Sequence, residues 1–194
     1  MSSENPISQT NPRKRPITEV DKPTTVICTV VAIDHTNLHY RVCSVCEKTL
    51  PETPLNPNPT PTPTLNPSSS LPICRYCNFN NAFNPLSSGS KRLFRVLMSV
   101  ATDTKVFVVV MFDRAAKVLF GCSADDFFDF AKIHPFAAVN AGKILEGEML
   151  RVTLSKPKNG NAQHLRVASV VPLSSSFQPA IVSLRELYQV RGRS

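Results

Sequence analysis

A mainly β fold, closed into one small barrel, follows from three features of the sequence. Five long segments rich in β-branched residues are separated by turn chemistry. A helix-start signature at Ser123, Asp125 and Asp126 falls between the third and fourth of them. Two Cys-x2-Cys pairs interrupt the chain between the first and second. Five strands with a helical insertion after the third fit an OB-fold barrel, which closes its own edges.

The elements follow in order. Residues 24–33 (TTVICTVVAI) are dense in β-branched side chains and read as a strand, with Cys28 as a small core residue. Asp34 to Asn37 form a turn, and Leu38 to Val42 a short strand running into Cys43. KRLFRVLMSVA, the turn Thr102-Asp103-Thr104 and KVFVVVMF predict a hairpin. Its basic residues Lys91, Arg92, Arg95 and Lys105 are expected on an exposed face beside Phe94 and Phe107. RAAKVLF is helix-forming up to Gly121, and the Ser123 cap opens a helix to about Lys132. A loop is expected from Pro135 to Gly142, then a strand ending near Ser155. Asn159-Gly160 is hairpin chemistry, and HLRVASVVPL is the returning strand. Lys156, Lys158, His164 and Arg166 gather around that turn as a candidate phosphate clamp. A short C-terminal helix carries Ile181, Leu184, Leu187 and Tyr188 at helical spacing, a stripe for docking on its own domain or on a partner.

The cysteine pairs are Cys43/Cys46 and Cys74/Cys77. Each spacing lets one tight turn aim two thiolates at one ion. Two such turns facing each other make a tetrahedral sulfur site suited to one structural Zn2+. His39 is a weaker alternative ligand. The intervening PETPLNPNPTPTPTLNPSSSLP is too poor in apolar residues to pack and reads as an extended loop over 51–72. Tyr76, Phe79 and Phe83 follow the second knuckle, placed to pack over the metal site or to stack on a base.

The organisation expected is a polar tail over 1–22, one domain over 23–190 with its ribbon at about 40–82, and a tail over 191–194. The net charge of +8 is only partly due to the termini, so the folded body favours polyanions. No apolar run approaches a membrane span, so no membrane partner is expected. Reduced thiols and the Arg13-Lys14-Arg15 run point to an intracellular, nuclear location. Asp125, Asp126 and Asp129 invite a nuclease reading, but acidic residues early in a helix usually match its dipole, and no enzyme is expected.

Three stretches, TVICTVVAIDHTNLHYRVCSVCEK, ICRYCNFNNAF and FRVLMSVATDTKVFVVVMFDRAAKVLFGCSADDF, resemble the C-terminal DNA-binding domain of the replication protein A large subunit. The resemblance implies an OB-fold with a four-cysteine zinc ribbon that binds single-stranded DNA in replication, repair or recombination. It implies that Cys43, Cys46, Cys74 and Cys77 are zinc ligands and that Phe112 stacks on DNA. Val108 stands where the family has its second aromatic, with Phe107 one place away. Under this reading Phe112, Phe107 and Phe94 are the base platforms. Lys91, Arg92, Arg95, Lys105, Lys156, Lys158 and Arg166 are the phosphate contacts, and RNA is the other candidate strand. The competing reading is a protein-interaction subunit that assembles with other OB-fold subunits through its last helix.

Overall fold

A computed structural model describes residues 22–51, 74–78, 89–157 and 163–191. Residues 1–21 of the expected tail, residues 52–72 of the Pro-rich loop, Phe79, Phe83, Lys158 and the Asn159-Gly160 turn lie outside these. Six strands and four helices follow the order β1 (Thr24–Ile33), β2 (His39–Cys43), β3 (Ser90–Ala101), β4 (Val106–Phe112), α1 (Asp113–Phe120), α2 (Ala124–Ile133), α3 (Ala137–Leu145), β5 (Met149–Ser155), β6 (Leu165–Pro172) and α4 (Ala180–Arg191).

The barrel is closed by β1. Its first half pairs with β5 and its second half with β3, the register shifting between Val30 and Ala32. That shift lets one strand turn from one neighbour to the other. The circuit runs β1-β5-β6-β4-β3 and back to β1, with β4 and β6 parallel. This is the expected five-stranded OB-fold barrel. The short β2 lies along the first half of β3 and carries the chain to the cysteines.

Alternation along each strand decides what lies inside. Phe94, Val96, Met98 and Val100 of β3 share one face and are all 0% exposed. Phe94 is therefore a core residue, not the exposed platform expected of it. Its ring stacks on Phe120 at 4.6 Å, and Phe127 meets Phe120 edge-on at 5.0 Å. These three rings plug the barrel end beneath α1 and α2.

The helices are tied down locally. Gly121 ends α1 at φ 73°, where its N–H bonds to the Lys117 carbonyl. A Cβ there would also overlap Pro179, so both conformation and space require glycine. Ser123 and Asp126 form a reciprocal capping box at the start of α2. The segment expected as a loop is the helix α3. Pro135 lies before its N-cap, and Gly142, which looks like a breaker in sequence, is buried in the helix facing Ile33 of β1. Packing overrides propensity here.

The C-terminal helix also differs from one expectation. Ile181 and Leu184 are 3% and 0% exposed within the domain's own core, so this pair is not a partner surface. Tyr188 packs between helices, stacked on His134 at 4.2 Å and accepting a hydrogen bond from Asn140 Nδ2. No helix among the described residues is long and apolar enough to cross a membrane.

Candidate metal centre and nucleic-acid interface

β2 delivers Cys43 to a tight turn over Ser44–Cys46, which Thr49 closes by bridging back to Val42. The Cys43 N–H bonds to the Lys48 carbonyl at 2.9 Å, and Glu47 adopts a positive φ of 57° that reverses the chain. The second knuckle is the turn Arg75–Asn78 after Cys74. Together they bring the four Sγ atoms within 4.8 Å of one another. Cys43 and Cys77 are 3.6 Å apart, and Cys46 and Cys74 are 3.5 Å apart. A tetrahedron with Zn–S bonds of about 2.3 Å has edges of about 3.8 Å. The donor set therefore fits one thiophilic metal ion. Hydrogen bonding from the Cys46 backbone, and next from Val45, holds the Cys43 thiol down at about 7, primed for ligation.

Buried Leu50 packs against the knuckles. Tyr76 does not cover them, being 66% exposed. His39 meets the Phe128 ring edge-on at 5.0 Å, and Cys28 is in the barrel core. Among the described residues, the four knuckle cysteines are the one group that can hold a metal.

The outer barrel face is built from the strand parity opposite to Phe94. Arg95 lies directly across from Phe112 on the β3–β4 pair, and Arg166 lies across from Val110 on the β4–β6 pair. The Arg166 guanidinium sits 4.7 Å from the centre of the Phe112 ring. On the other side, Tyr40 of β2 meets the same ring edge-on at 6.4 Å. Phe112 is thus flanked by an aromatic and a cation, with a second cation opposite. Burial first, and then Asp113, raise the Tyr40 hydroxyl above its usual range, so it stays neutral. Lys117 binds the Asp113 carboxylate at 2.7 Å, drawing its charge away from this face.

Sequence reasoning did not single out Tyr40. Three strands must align before it meets Phe112, and its position three residues before a knuckle cysteine was the available signal. Other expected contacts are placed elsewhere. Lys91 is paired with Glu47. Arg92 pairs with Asp125 at 3.1 Å and lies 3.6 Å over Phe128. Both are already neutralised, unlike the free phosphate contacts expected. Asp125 also accepts the Arg92 backbone N–H, Asp126 serves the helix cap, and Asp129 pairs with Lys132. The three carboxylates therefore diverge. Phe107 faces the barrel interior at the end far from Phe112, with Lys105 5.2 Å over its ring.

No family model matches the sequence, and no curated protein matches it significantly. Among solved structures, a chain of a replication protein A heterotrimer bound to ssDNA matches with TM-score 0.58 and 18% identity, over 88% of this chain. A chain of yeast RPA bound to ssDNA matches with TM-score 0.57 and 16% identity, over 97% of this chain and 99% of that one. In fold, this is an RPA-like OB domain. The chain spans 36% of the first RPA chain and nearly all of the second. At these identities the RPA likeness concerns the fold, and the chemistry of the site rests on the residues described above.

Proposed function

We propose that this chain is a non-enzymatic, single-stranded DNA-binding OB domain stabilised by one structural Zn2+. The observation that carries the reading is Phe112, held on the outer barrel face between Tyr40 and Arg166 with Arg95 opposite. Base stacking on such a ring contributes about 1–3 kcal/mol per base, and neighbouring cations hold the phosphates. The two RPA neighbours are described as bound to ssDNA, which supports the same ligand here. Zinc is the metal best matched to four thiolates, and such a site leaves no open position for catalysis. A nuclear role in replication, repair or recombination belongs to this reading.

Fluorescence anisotropy with single-stranded DNA, RNA and duplex across a salt series tests it. Affinity for the single strand is expected to fall with salt at a log–log slope of about −0.7 per phosphate neutralised. Salt-independent binding, or duplex bound as tightly as single strands, would sink the proposal. One neighbour is a heterotrimer, so assembly with further subunits is the second reading. With Ile181 and Leu184 buried, the part of α4 left for it is the exposed side bearing Val182, Arg185 and Glu186.

A further inference from the structure

Among the described residues, the barrel has one end plugged by aromatic rings and one end open. At the open end, the first half of β1, the β3–β4 turn, both ends of β5 and the start of β6 surround a half-open cavity of about 920 Å³. That lies within the roughly 300–1,000 Å³ range of small-molecule sites. Val26, Phe107 and Leu165 are among its apolar walls, and Lys22, Lys105 and Lys156 are among its polar lining. Asp103 is the one carboxylate in that lining among the described residues. None of the three lysines pairs with a carboxylate among the described residues, and Lys105 stands over the Phe107 ring. An aromatic floor with ammonium groups around it matches a nucleobase carrying phosphate.

The strand register connects this cavity to the outer face. Arg166, which covers Phe112, pairs across β5–β6 with Ser155, and the next residue is Lys156. Leu165, adjacent to Arg166, lines the cavity. A strand lying on Phe112 and Arg166 can thus run on past Ser155 towards Lys156 and the mouth. The mouth is the end of the barrel, so a strand turning into it terminates there while the rest stays on the face.

We propose that the open end of the barrel is a second binding site, which takes the terminal nucleotide of a bound single strand and makes the protein selective for strand ends. This rests on the single-strand reading above and extends it. Continuity with the Phe112 face favours a nucleotide over an acidic peptide, the other ligand that such a cavity attracts.

The test compares the full chain binding a linear oligothymidylate and the covalent circle made from it. The linear form is expected to bind about tenfold tighter, the worth of one stacked base. Lys105→Glu, and separately Phe107→Leu, should bring the linear form down to the affinity of the circle without changing the circle's own. Unfolding temperature measured alongside shows that both variants are folded, and Lys105→Glu alone suffices if Phe107→Leu is not. Equal affinity of wild type for circle and linear forms overturns the end site while leaving the Phe112 face intact. Loss of circle binding in wild type removes the face instead, and the end site then stands only if linear binding persists and depends on Lys105. If the two forms bind equally and an acidic, leucine-bearing peptide binds in a Lys105-dependent way, the cavity is a protein groove and the proposal is wrong.

Discussion

Phe112 and Phe94 show how a side chain's parity on its strand decides whether it faces outward or into the core. Phe112 is the N-cap residue of α1 in an ordinary extended conformation and makes no side-chain cap bond. Its ring is therefore dispensable for the helix, and Phe112→Ala is expected to weaken single-strand binding by about 1–3 kcal/mol with little change in unfolding temperature. Anisotropy and thermal melts on the same preparation check both halves. Phe94→Ala should do the reverse. It removes a fully buried ring stacked on Phe120, a loss of about 3–5 kcal/mol of stability that denaturant unfolding would register.

At the scale of elements, the ribbon is expected to depend on a bound metal, because little else among the described residues holds the knuckles together. Among the described residues, the cluster there is buried Leu50, Cys43 and Cys74 with partly buried Cys46, too small to fold a loop by itself. Chelation, or Cys74→Ser, is expected to release the ribbon while the barrel stays folded. Near-native far-UV signal together with loss of bound zinc by mass spectrometry would show it. Acid should act like chelation. The Cys43 thiol is lowered to about 7, so its thiolate contribution is present above the usual thiol value and is lost as pH falls through that point. Ligands must be deprotonated to bind, so zinc release on titration from alkaline to acid pH is the expected direction. Zinc release that showed no dependence on pH would argue for a different ligand set.

Over the whole molecule, α4 behaves as part of the core. Leu184 is fully buried against the rest of the domain. Leu184→Asp is therefore expected to cost at least about 2–5 kcal/mol and to lower the yield of folded protein, instead of separating assembly from DNA binding. Val182→Asp, at a position 38% exposed, is expected to change stability little and is the informative variant for any partner of this helix. The two barrel ends are likewise unequal. Phe94, Phe120 and Phe127 fill one, and the other keeps a cavity under lysine side chains. The excess positive charge of the chain is thus partly concentrated beside an apolar opening.

The sequence by itself determined the features set by a few neighbouring residues. The two knuckles, the β3–β4 hairpin and the Ser123 cap each rest on spacing within a single turn. The order of strands around the inserted helices was legible too, because β-branched runs and turn residues mark their boundaries. Phe94 was also within reach, since it shares its parity with Val96, Met98 and Val100. Only tertiary structure decided the rest. The assembly of β2, the barrel and the helices put Tyr40 beside Phe112, gave Lys91 and Arg92 carboxylate partners, turned Phe107 towards the open mouth, and pressed α3 and α4 onto the core. Those contacts join residues far apart in the chain, and local propensity carries no information about which distant surface will cover a given side chain.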